Sequence, residues 1–173
     1  RAYAYVFLHG REGLKEVAER SVLNANYLAR QVEDVFPLAH PDGRPMHEFV
    51  LSARRQKGQG ARGLDIAKGL IDRGFHPPTV YFPLIVEEAL MVEPTETESV
   101  ETLDSFADAM LEIAAQAEAD PHSLHQAPVT APVGRLDEAR AARSLVARWH
   151  PPSEPDEAAS DPADEGPPEK PTS

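Results

Sequence analysis

The chain has 173 residues, 41% of them hydrophobic and 27% charged, with no Cys and a formal net charge of -12. That length suits one ordinary domain of ~100 to 150 residues plus a tail. The negative charge argues against a broad nucleic-acid footprint, which needs clustered Lys and Arg. The lack of Cys excludes disulfides, thiolate nucleophiles and Cys-ligated metals within the segment.

No apolar run reaches the roughly 18 residues that a membrane-spanning helix needs, and no signal peptide is recognisable. The expected setting is therefore soluble and cytoplasmic. There is no initiator Met, and Arg1-Ala2-Tyr3-Ala4-Tyr5-Val6-Phe7 reads as the middle of an ordered element. The expectation is a C-terminal piece of a larger protein.

Leu14, Val17, Ser21, Leu28, Val32 and Val35 recur at spacings of three, four or seven, which predicts a helix over 11–36 that Pro37 ends. Residues 48–52 alternate as a strand would, and the Gly-rich basic stretch 54–63 reads as a connector. Leu64, Ala67, Leu70 and Ile71 form the stripe of a short helix that Gly74 is placed to terminate. Pro77 and Pro78 then impose extended backbone before strand-like 79–82. Residues 89–93 form another strand ending at Pro94.

Ser99 can cap a helix that carries Glu101 and Asp104 in its first turn and buries Leu103, Phe106, Met110, Ile113 and Ala117. This helix runs to about Ala119. The order helix, strand, helix, two strands, helix implies an α+β layer in which helices cover one face of a small, largely antiparallel sheet. Residues 121–150 read as an extension with a short helix over 136–147. The division expected is thus a long helical region over 1–36, the α+β domain over 37–120, the extension over 121–150 and a tail over 151–173. That tail holds seven acids and one Lys, half of the net charge, and no aromatic or branched aliphatic residue. It is expected to be disordered.

There is no Gly-rich phosphate loop, nucleophile elbow or His-Glu-x-x-His helix. His122, His125 and His150 lack ligand spacing and read as surface or hydrogen-bonded residues, and no metal site is expected. Two segments stand out. In Gly74-Phe75-His76-Pro77-Pro78-Thr79-Val80-Tyr81-Phe82-Pro83, three prolines fix the backbone around His76 and Thr79, which suits a rigid site. In Glu93-Pro94-Thr95-Glu96-Thr97-Glu98-Ser99, the polar groups either cap the following helix or edge a cleft.

Both segments resemble the C-terminal part of the glycine decarboxylase P-protein family. So do Tyr3-Ala4-Tyr5, Leu23-Asn24-Ala25-Asn26-Tyr27-Leu28, Met46-His47-Glu48-Phe49-Val50-Leu51, Leu64-Asp65-Ile66-Ala67-Lys68 and Leu90-Met91-Val92. The motifs occur in order over about residues 1–150. The Val80-Tyr81-Phe82-Pro83 form is similar to subunit 2 of the bacterial split enzyme. The tail inherits nothing from the resemblance.

The resemblance implies the aspartate-aminotransferase-like, fold type I architecture, with this segment as the small C-terminal domain that closes over a pyridoxal phosphate site and residues 1–36 as the long helical connection to the large domain. It implies glycine as substrate and a lipoylated H protein as acceptor of the aminomethyl group. It also implies a heterotetramer with subunit 1. The Schiff-base Lys of that chemistry is expected upstream of Arg1, because none of Lys15, Lys57, Lys68 and Lys170 sits in the family's cofactor-lysine motif. No catalytic residue is therefore assigned within the segment, which alone should be inactive. His76, Thr79, Glu93 and Thr95 match motif positions and are the candidates to line or support the cleft. Two alternatives stay open: the small domain of another fold type I enzyme, such as an aminotransferase, and a stand-alone α+β binding module.

Overall fold

A computed structural model describes residues 1–148; the tail, with Trp149 and His150, lies outside the described residues. Residues 1–136 form one compact unit, and a second begins at Asp137. In the first, α1 covers Ala2–Val32 but breaks at Gly10, whose φ of 60° is in the left-handed region. The helix beyond this break matches the predicted one, except that it ends at Val32. Pro37 disfavours helical backbone at Phe36, so the chain turns there and Phe36 enters the core with no exposure. Of the predicted stripe, Leu28 and Val32 are fully buried, joined by Ala25 and Ala29, while Leu14 and Val17 stay half-buried.

The sheet has the order β1-β3-β2 and is antiparallel throughout, with β1 at Phe49–Ser52, β2 at Thr79–Val80 and β3 at Ala89–Val92. Phe49 faces Val92, and Leu51 faces Leu90. All four are buried, so the core face of the sheet is aliphatic and aromatic. Strand β2 is shorter than expected because Tyr81, whose amide still donates to Ala89 O at 2.9 Å, adopts a φ of 60° that turns the following chain away from β3.

The expected connector over 54–63 is partly helical. Helix α2 covers Arg54–Gln59 and buries Gln56, whose side-chain amide donates to Val35 O. Gly60, at φ 108°, ends it with its amide directed at Lys57 O. Tertiary burial of a single residue outweighs the weak propensity of this stretch. Helix α3, Gly63–Asp72, starts with the Asp65 carboxylate accepting from the Arg62 amide at 2.7 Å, and stops in a Schellman arrangement. There the Gly74 amide donates to Ile71 O and the Phe75 amide to Leu70 O, both at 3.0 Å. Gly74 has a φ of 82°, the conformation that the terminator reading requires.

Helix α4, Val100–Ala119, is capped by Ser99 Oγ, which accepts from the Thr102 amide at 3.2 Å. Leu103, Met110, Ile113 and Ala117 are buried along it, and Phe106 is half-buried. A short helix that the sequence reading lacks, α5 at Pro121–His125, follows, with the Asp120 side chain capping it and Pro121 in its first turn. Its Leu124 reaches Gly69 so closely that a Cβ there would lie 3.3 Å from Ile113 and 3.4 Å from Leu124. Arg135 then clamps the segment, donating to Asp65 at 2.6 Å and to the Ala127 and Leu124 carbonyls at 2.9 Å.

In the second unit, α6 covers only Glu138–Arg143, against the 136–147 predicted. It is capped by the Asp137 side chain, which accepts from the Arg140 amide, and buries no residue. Without an apolar face to bury, nothing extends it.

Candidate functional site

The Schellman turn after α3 does more than stop a helix. It places Phe75 against Phe106 of α4, ring edge to face, with centroids 5.4 Å apart. His76 follows, and Pro77-Pro78 carries the chain extended to Thr79, which pairs with Met91. At the other end of the pairing strand, β3 gives way to Glu93, buried Pro94 and Thr95. These pieces surround a cleft of about 400 Å³ within the first unit, floored by apolar side chains that include Phe75 and Phe106.

All four sequence-selected residues, His76, Thr79, Glu93 and Thr95, line this one cleft, and each is exposed. Residues 14 to 19 positions apart in sequence meet because β2 and β3 are antiparallel neighbours. Glu98 and Thr102 also line it and were not singled out individually. The signal for them was available: the residue before an N-cap and the one three beyond it share the mouth of the helix.

The loop 93–99 is held from outside. Asn24 of α1 donates its side-chain amide to Thr95 O at 2.8 Å, and the Thr95 and Thr97 hydroxyls lie 2.8 Å apart. Tyr5 donates to the Glu96 carboxylate at 2.7 Å, a bond that holds Glu96 below the ordinary Glu range and the Tyr5 phenol above its own. One turn further, Asp104 accepts from Gln31 at 2.8 Å and from Tyr27 at 2.7 Å, and these two bonds in that order lower its pKa.

A phosphate-bearing cofactor attached as a Schiff base needs cationic or amide donors and a Lys that can shed its proton. Among the described residues no Lys or Arg lines this cleft, whose carboxylates are Glu93 and Glu98. Lys57 lies elsewhere, 2.8 Å from Glu87 and 3.5 Å from Glu88; the hydrogen bond to Glu87 raises its pKa and keeps it an ammonium. The residues of the cleft therefore do not fit the covalent anchor of pyridoxal phosphate. They suit a wall: apolar floor, polar rim and a backbone fixed by prolines and cross-links.

The sheet, its helical cover and this cleft make a small α+β domain, and the comparisons with known proteins identify its class, the small C-terminal domain of the aspartate-aminotransferase-like enzymes. A solved structure described as glycine decarboxylase (P-protein) of the glycine cleavage system, in inhibitor-bound form, matches 64% of this chain and 24% of its own at 27% identity with a TM-score of 0.54. The family model for the glycine dehydrogenase C-terminal domain covers residues 17–130, so the chain belongs to that family.

Its relatives agree. A protein of Oceanobacillus iheyensis named "Probable glycine dehydrogenase (decarboxylating) subunit 2" is 58% identical over 151 residues, 87% of this chain and 31% of that protein. One of the same name from Lysinibacillus sphaericus is 57% identical over 149 residues, 86% of this chain and 30% of that protein. The chain thus spans about a third of the length of the curated relatives it matches.

Proposed function

We propose that the complete protein is a glycine decarboxylase subunit. It would decarboxylate glycine with pyridoxal phosphate and pass the aminomethyl group to the lipoyl group of an H protein, working in the cytoplasm in a heterotetramer with a subunit 1. The observation that carries this reading is identity of 56 to 58% over 149 to 151 residues, 86 to 87% of this chain, to proteins named as probable glycine dehydrogenase (decarboxylating) subunit 2. When bound, the cofactor supplies the electron sink for loss of CO2. Its Lys would come from the part of the protein that the relatives carry outside this segment.

The segment's own contribution is a wall. His76 and Thr79 on one side and Glu93 and Thr95 on the other line or support the closed cleft, with apolar Phe75 and Phe106 beneath them to exclude water. None is assigned as acid or base. Their roles are orientation and shape, and the cross-links from Asn24 and Tyr5 keep the acidic loop in place.

The deciding experiment mixes the complete protein, subunit 1 and lipoylated H protein with carboxyl-labelled glycine. Release of labelled CO2 that depends on the H protein is the expected result. Transfer of the amino group to a keto acid without CO2 release would overturn the reading in favour of an aminotransferase.

A further inference from the structure

The loop between β2 and β3 is an apolar tip on a fixed stem. From Thr79 to Val86 there is no charge, in a chain where 27% of residues are charged. At the tip Leu84 and Ile85 are each 88% exposed, and Phe82 is 54% exposed. Such a cluster in water is unfavourable, and on native surfaces it marks a place that something covers.

The stem is specified from several sides. Tyr81 and Glu88, the residues flanking the loop, both take positive φ, 60° and 50°. For residues with a Cβ that conformation is unfavourable and persists only where surrounding structure enforces it. Here the enforcing contacts are visible. The Tyr81 amide donates to Ala89 O at 2.9 Å, and the buried Glu88 carboxylate accepts from the Gly63 amide at 2.8 Å. Ser52 Oγ donates to Glu87 O at 2.7 Å, and Lys57 pairs with Glu87. At the tip the Val86 amide closes a turn onto Pro83 O.

A loop with no partner would gain nothing from holding exposed Leu and Ile on so constrained a base. We propose that Phe82, Leu84 and Ile85 are an interdomain plug, buried in the complete protein by the part of the same polypeptide that lies outside this segment. Two arguments select that occupant. The relatives at 58 and 57% identity carry roughly two thirds of their length outside the matched region, so a tethered partner is at hand at high effective concentration. The tip has no charge to steer a transient encounter, and fully apolar contacts characterise permanent interfaces. The proposal rests on the glycine decarboxylase reading for the existence of that additional polypeptide.

The test uses the complete protein with a photo-crosslinking benzoylphenylalanine at Leu84 or Ile85, followed by peptide mapping. The expected product is an intrachain link from the tip to a peptide outside residues 1–173. A link that doubles the mass, a link to subunit 1, or no protein link at all would overturn the proposal. Because the bulky probe could disturb folding, Ile85→Cys is measured in parallel. Its alkylation should be about tenfold or more slower in the native complete protein than after unfolding in urea, and equal rates would overturn the inference. The H-protein-dependent CO2 assay on the same preparations separates the two ideas. Activity without burial of the tip refutes the plug alone, and burial without activity refutes the catalytic reading alone.

Discussion

Tyr5 donates its phenolic hydrogen to Glu96 across 2.7 Å, although Asn24, on the same helix, binds the adjacent Thr95 carbonyl. In an unbroken helix Tyr5 and Asn24 would be about 28 Å apart at ~1.5 Å per residue. The break at Gly10 redirects the first turns of α1 toward the loop after β3.

Gly10→Ala should therefore undo the Tyr5–Glu96 bond. No atom of the described residues lies within 4 Å of a Cβ at this position, so the penalty is the positive φ, about 1 to 2 kcal/mol, and a straightened helix avoids it. The raised pKa of Tyr5 and the lowered pKa of Glu96 mean that the bond stabilises between about pH 4.5 and 10. It is lost as pH falls through the folded pKa of Glu96, or rises through that of Tyr5. Tyrosinate absorbance, read as the difference from Tyr5→Phe, should show Tyr5 titrating lower in Gly10→Ala and Glu96→Gln. An unchanged titration would show that the bond does not govern it.

Gly74→Ala should destabilise the protein by about 1 kcal/mol, because Gly74 closes the Schellman turn at φ 82°. The cost is conformational, since a Cβ there meets nothing within 4 Å among the described residues. A urea midpoint equal to that of the parent would contradict it. The same variant should disturb Phe75 and His76, which follow directly.

That turn also shows what the sequence made legible. Gly74 as a terminator, Ser99 as a cap and the stripe from Leu103 to Ala117 depend on local rules, and the structure places them as expected. The cleft residues were found by motif, and the antiparallel pairing of Thr79 with Met91 explains why they meet. What escaped was decided by distant partners. Helix α2 depends on burying Gln56 beneath Val35, and α5 on Leu124 filling the space that Gly69 leaves. The shortened β2 depends on a backbone dihedral at Tyr81 that a residue of high strand propensity does not announce.

Asp65→Ala should cost about 3 kcal/mol, since it strips a buried carboxylate from Arg135 and from the Arg62 amide. Arg135→Ala leaves that carboxylate buried, 3.8 Å from His125, and should cost a similar amount. The double variant should lose clearly less than the sum, as the two share one interaction. Additive urea-denaturation values would show that Asp65 and Arg135 do not act together.

Asp72 predicts where acid weakens the fold. Burial alone would raise its pKa, but the backbone and hydroxyl bonds from Thr130 and the Val129 amide outweigh this and lower it. A lowered folded pKa gives stability that is present above the ordinary value of 3.8 and lost as pH falls through the folded one. Asp72→Asn should thus be less stable than the parent at pH 7 and nearly equal to it at about pH 2. Hydrogen exchange at the Val129 and Thr130 amides reads this directly, and a gap that persists in acid would exclude the mechanism.

The cleft wall yields the prediction closest to function. Glu93 is exposed on the rim, pairs with no other side chain among the described residues and follows the last residue of β3, so Glu93→Gln should leave stability unchanged. If the rim orients the reacting molecule, the same change in the complete enzyme should lower kcat/KM on the order of tenfold, because small misplacements of bound groups are costly to rate. His76→Ala and Thr79→Val should act in the same direction, as both face the same space from the β2 side. A rim that merely ties strand ends together would give the opposite pattern, with reduced urea midpoints and full activity in the surviving folded fraction. Measuring stability and H-protein-dependent CO2 release on the same samples separates positioning from support.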